Sequence, residues 1–153
     1  MSRYTIGIGA AAALAAGVWL APAGGQQPGA KGDDALVKRG EYLALEVAHC
    51  GHCYTPPDAK GNPDRAKLLQ GATLPIKPKD PKAEWADESP DITKGGLAGR
   101  WGEDGLVKFL PTGKNPGGHG PTPPMPTFRL KEEDARAVAR YLLSVPGKKK
   151  DGR

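Results

Sequence analysis

Cysteine is scarce in this 153-residue chain, which has two, Cys50 and Cys53. That excludes a multiply disulfide-stapled scaffold and a tetrahedral zinc site made from thiolates alone. Bulky apolar side chains are scarce as well: two Phe, three Trp and 6% aromatic residues stand against 22 Gly and 16 Pro. Such a composition lies near the disordered class and buries little core of its own. Parts of the chain nevertheless carry well-formed helical patterns, and an apolar cofactor supplying part of the core resolves that conflict. There is no internal repeat and no strand pattern. Nor does any acid–base pair or nucleophile constellation stand out, so nothing here reads as an enzyme.

What is present begins with export. Arg3 is followed by the small-apolar run "YTIGIGAAAALAAGVWLA" and by "APA" at 21–23. A positive start, an apolar middle and a small-x-small end are the layout of a secretory signal, and the run is also close to the length of a membrane anchor. Residues 1–23 are therefore read as a signal peptide or an N-terminal anchor, and the working part as exported. Residues 24–33 form a flexible linker. The formal charge is +5, and part of the excess sits in the basic tail 147–153, "GKKKDGR", read as a solvated end. Export argues against nucleic acid as a partner.

Three helices are expected between these ends. The first spans 33–48 with Asp33 as N-cap, and its apolar seam of Leu36, Gly40, Leu43 and Val47 delivers Cys50 to the buried side. A short second helix spans 103–110, opened by Glu103 and Asp104 and stopped by Pro111. The third spans 131–145, with Glu132, Glu133 and Asp134 in its first turn and Ala135, Val138, Leu142 and Val145 on one face. Residues 55–99 hold too many prolines for helix or central strand, and a long unpatterned stretch in a small domain usually wraps something.

The stretch "HCGHCYTPP", residues 49–57, carries the chemistry. A Cys-x-x-Cys pair serves haem attachment, thiol–disulfide exchange or a plain disulfide. In thioredoxin-like folds the pair follows a strand and opens a helix that stabilises the thiolate. Here a helix precedes the pair, and Pro56 and Pro57 block a helix after it. Covalent haem needs this order: two thiols form thioethers, and the next residue faces the iron. A second ligand then comes from a distant loop. Met125 meets that need. It is the only methionine besides Met1, and it lies in the proline-stiffened loop "PTPPMPTF".

Taken together, "RGEYLALEVAHCGHC", "DITKGGLAGRW" and "MPTFRLKEEDARAVARYLLSVP" resemble, in order and spacing, the class I c-type cytochromes, especially periplasmic monohaem domains that accompany dehydrogenases and oxidases. The resemblance covers residues 34–146. It implies an all-α cytochrome c fold of about three main helices with long loops around a haem. It also implies haem c attached through Cys50 and Cys53, with Met125 on the iron. Gly40 and Tyr141 match the family's close crossing of first and last helices. The implied function is an exported electron carrier whose redox partners are a dehydrogenase or an oxidase.

The departure is Tyr54. The family pattern places a histidine directly after the second cysteine, as the proximal iron ligand, and the family's maturation machinery reads that histidine as well as the cysteines. Tyr54 is expected to take the position, binding iron as phenolate, as a tyrosine does in catalase. The candidate metal ligands are therefore Met125 and Tyr54. His49, His52 and His119 are the other nitrogen sources, each read first as an exposed polar residue. Three outcomes stay open: an electron relay impaired by Tyr54, an open coordination position suited to peroxide or small ligands, and a haem-free module with a Cys50–Cys53 disulfide.

Overall fold

Helix α1, Ala30–Tyr42, runs without interruption into a π-helical turn, Leu43–Val47. A five-residue helix α2, Cys50–Tyr54, follows; α3 spans Leu97–Thr112 and α4 spans Glu132–Ser144. The computed structural model describes residues 30–148. The signal or anchor expected over 1–23, most of the linker and the end of the basic tail lie outside the described residues. Among the described residues there are two isolated β-bridges and no strand, and no helix is long and apolar enough to cross a membrane.

The first helix starts three residues earlier than its cap pattern suggests. Asp33 lies in the first turn rather than at the N-cap, where its carboxylate still faces the positive end of the helix. The seam also shifts. A π turn fits more residues into each turn than an α-helix, so positions after Tyr42 rotate relative to the 3.6-residue pattern. Ala44 is fully buried, and Val47, expected inside, is 52% exposed.

Helix α4 matches its pattern closely. Ala135, Val138, Leu142 and Val145 are all buried, as are Ala137, Ala139 and Tyr141. Each fully buried Val or Leu side chain contributes about 1.5–3 kcal/mol, so Val138, Leu142 and Val145 anchor this face. It packs on one side against α1 and on the other against α3. Arg136 and Arg140 reach Glu103 of α3 at 3.1 and 2.7 Å, and Arg39 of α1 meets Asp134 at 2.5 Å. These exposed pairs orient the helices; apolar packing holds them.

Gly40 fixes the α1–α4 crossing. A Cβ placed there would sit 1.9 Å from the Ala137 carbonyl oxygen and 2.8 Å from Tyr141 Cβ. The glycine and tyrosine singled out in the sequence do meet at the crossing. Because the nearest atom is backbone, the helices must separate to admit a methyl. Gly40→Ala is therefore expected to destabilise the chain by about 3 kcal/mol, the upper range for overpacking, read as a lowered denaturant midpoint at unchanged slope. An unchanged midpoint would remove the close crossing from the account.

Helix α3 is longer than the expected 103–110, and it contains a break. Gly102, at φ 68 and ψ −177, separates residues 97–101 from 103–112. The second segment begins where the acidic residues suggested. Pro111 is accommodated inside its last turn, and the stop is Gly113, left-handed at φ 69, whose N–H bonds Phe109 O.

Candidate functional site

His49 breaks the chain direction after the π turn. It adopts a left-handed conformation at φ 53, and α2 starts at Cys50. The cysteine pair thus opens a single helical turn, which the sequence pattern did not indicate. Pro56 and Pro57 follow it, and Thr55 is already extended. Three bonds from the long loop pin this turn. Gly71 N–H donates to Tyr54 O at 2.8 Å, Ser89 Oγ donates to Cys53 O at 2.6 Å, and Leu69 N–H donates to Thr55 Oγ1 at 3.1 Å. The unpatterned stretch 55–99 wraps the turn and holds its carbonyls. Ser89 and Leu69 were not legible as site-supporting residues, since "DESP" and "KLLQ" carry no chemical signature.

Beyond α2 lies a cavity of about 610 Å³, well inside the range of cofactor sites. Cys50 and Cys53 line one edge. Trp101, Leu106, Phe109 and Leu110 come from α3, and Val138 and Leu142 from α4. Met125 enters from the loop between α3 and α4. That loop is tethered: Ala86 N–H donates to Pro123 O at 2.7 Å, and Met125 N–H to Thr122 O at 3.2 Å. Apolar walls, two thiols on one edge and a thioether from another element make a donor set suited to a covalently held porphyrin with a soft axial ligand.

The Cys50 thiol is not poised for exchange chemistry. Burial pushes Cys50 up to about 11, outweighing a backbone hydrogen bond that pulls the other way. A redox-active cysteine of a Cys-x-x-Cys motif has the opposite shift. Both cysteines carry free thiols in this structure.

Tyr54 is buried, and its hydroxyl donates to Met125 Sδ. Burial holds the phenol well above the usual tyrosine range, and the neighbouring cysteines add to the effect. It is a neutral donor at physiological pH. The four residues singled out in the sequence, Cys50, Cys53, Tyr54 and Met125, line one cavity. His49 and His52 stand at its rim, exposed, their rings stacked with centroids 5.2 Å apart. His119 is outside the lining, exposed in a turn where its N–H bonds Asn115 Oδ1 at 3.0 Å.

Residues 37–146 match the family described as Cytochrome c. Among similar proteins are a "Diheme cytochrome c-type" of Cereibacter sphaeroides, 33% identical over 136 residues, covering 85% of this chain and 43% of that protein. A "Gluconate 2-dehydrogenase cytochrome c subunit" of Pantoea cypripedii is 34% identical over 134 residues, covering 80% of this chain and 29% of that protein. A "Fructose dehydrogenase cytochrome subunit" of Gluconobacter japonicus is 31% identical over 121 residues, covering 74% and 23% respectively. The chain spans less than half the length of each of these relatives.

Proposed function

This chain belongs to the cytochrome c family, and from that premise we propose that it is an exported monohaem electron carrier. The observation that carries the reading is one apolar cavity lined by both Cys50 and Cys53 and by Met125 from a tethered loop. The family implies covalent haem c, and the bound group supplies a reversible one-electron couple. Cys50 and Cys53 would hold it as thioethers, and Met125 would supply the soft ligand that favours ferrous iron.

The chain's own residues then have definable tasks. Ser89, Gly71 and Leu69 fix the backbone of the thiol turn, so both sulfurs face one cavity edge. The α3 and α4 side chains exclude water from the bound group, and low local polarity limits the reorganisation that accompanies electron transfer. Several relatives are cytochrome subunits of dehydrogenases, which supports a dehydrogenase as the electron donor. The apolar N-terminal run supports a periplasmic location, with cleavage or retention as a tether.

A redox titration of the full chain, produced with c-type maturation factors, tests the reading. The expected result is a reversible one-electron wave that follows the haem absorption bands. Met125→Leu should lower its midpoint, on the order of 100 mV, because the thioether raises the potential. A midpoint unmoved by Met125→Leu would take Met125 off the iron, and the absence of any reversible wave would sink the electron-carrier reading.

A further inference from the structure

The contact between Tyr54 and Met125 bears on what haem iron in this cavity would bind, an inference that rests on the haem reading above. A first-row metal held between a sulfur ligand and an oxygen ligand keeps the two roughly 4 Å apart. Tyr54 Oη and Met125 Sδ instead touch as a hydrogen-bonded pair. They do not bracket a metal site as seated.

Neither backbone is free to draw back. Tyr54 O is held by Gly71 N–H, the preceding carbonyl by Ser89, and Met125 by its loop bonds. The pair therefore opens by side-chain rotation. A tyrosine reaches further from its Cα than a histidine, so its oxygen overshoots the place where an imidazole nitrogen from the same turn would stop. Rotating the ring aside would make room for the group and would also carry the oxygen away from Met125. Among the described residues the remaining nitrogen donors near this turn are His49 and His52. They are exposed and stacked on one another, with ring centroids 5.2 Å apart, so neither imidazole is held towards the cavity by a bond to the protein.

We propose that the haem-loaded chain keeps a coordination position on its α2 side that no protein atom fills, and that this position binds small exogenous donors of the imidazole or cyanide class. Tyr54 is then a positioning residue that lines the position, and the chain has a ligand-binding capacity in addition to electron transfer.

The test uses the full chain carrying covalent haem, or titrated with haemin if none is attached, and follows the ferric Soret band as imidazole is added. A chain that takes up only non-covalent haemin overturns the thioether assignment of Cys50 and Cys53 and still reports on this position. One that binds haemin in neither form overturns both. The expected result is a saturable shift to a low-spin spectrum in the unsubstituted chain. Tyr54→Phe, which keeps the ring and its packing, should retain that shift. Tyr54→His should lose it, because its own imidazole occupies the position. Two results overturn the proposal: a phenolate-to-iron charge-transfer band that Tyr54→Phe abolishes, or a spectrum that imidazole leaves unchanged in the unsubstituted chain.

Discussion

Tyr54→His is expected to raise the yield of covalent haem several-fold and to convert a high-spin ferric spectrum into a low-spin one with sharp reduced α and β bands. The reasoning is geometric first. The turn Cys50–Tyr54 is pinned by Gly71, Ser89 and Leu69, so the residue after Cys53 is aimed into the cavity whatever its identity. A histidine there is shorter, has an sp² nitrogen at its tip and restores the pattern read during haem attachment. Tyr54 instead places a protonated oxygen against the sulfur that the iron needs. The substitution removes that contact and adds a strong-field ligand in one step. Haem stain per milligram of protein and the reduced spectrum check it. Identical yields and spectra for the two chains would mean that Tyr54 does not face the iron and that the local placement is wrong.

Replacing both Cys50 and Cys53 with alanine is expected to abolish covalent haem, while either single change leaves one thioether. The loss should also be visible in stability. The described core is largely alanine and leucine from the π turn, the long loop, α3 and α4, packed around the cavity rather than filling it. A tightly held apolar group contributes about 4 kcal/mol, the value for a ligand at a thousand times its dissociation constant. For a domain of this size that corresponds to about 15 °C in Tm. Thermal melts of the double variant and the parent, both prepared with haem maturation factors, measure the difference. Coincident melts would mean that the core is complete without the group.

How much of this was legible in the sequence follows from where periodicity is informative. Helix α4 was readable almost residue by residue, because its apolar positions face two neighbouring helices and its acidic first turn marks the start. Gly40 was readable through the resemblance, because it and Tyr141 match the family's close crossing of first and last helices, and Ala137 O stands 1.9 Å from its would-be Cβ. Val47 was misplaced because the π turn rotates the seam, and neither propensity nor pattern marks such a turn. The wrap of residues 55–99 was not readable either. It is held by loop bonds, among them Ser89 to Cys53 and Thr93 Oγ1 to Asp91 Oδ1 at 2.6 Å, which leave no periodic trace. At the site, four of the seven candidate side chains share the cavity lining with two rim histidines, and only His119 falls outside it. The direct Tyr54–Met125 contact was beyond reach, since residues 71 apart in sequence meet only through the tertiary fold.

The central claim is that Cys50 and Cys53 hold haem covalently in this cavity. Trypsin cutting after Arg39 and Lys60 releases a peptide, residues 40–60, that contains both cysteines. After acid–acetone extraction of the chain expressed with maturation factors, mass spectrometry should find that peptide heavier by one haem. An unmodified peptide with all haem extracted, or one carrying a Cys50–Cys53 disulfide, would contradict it.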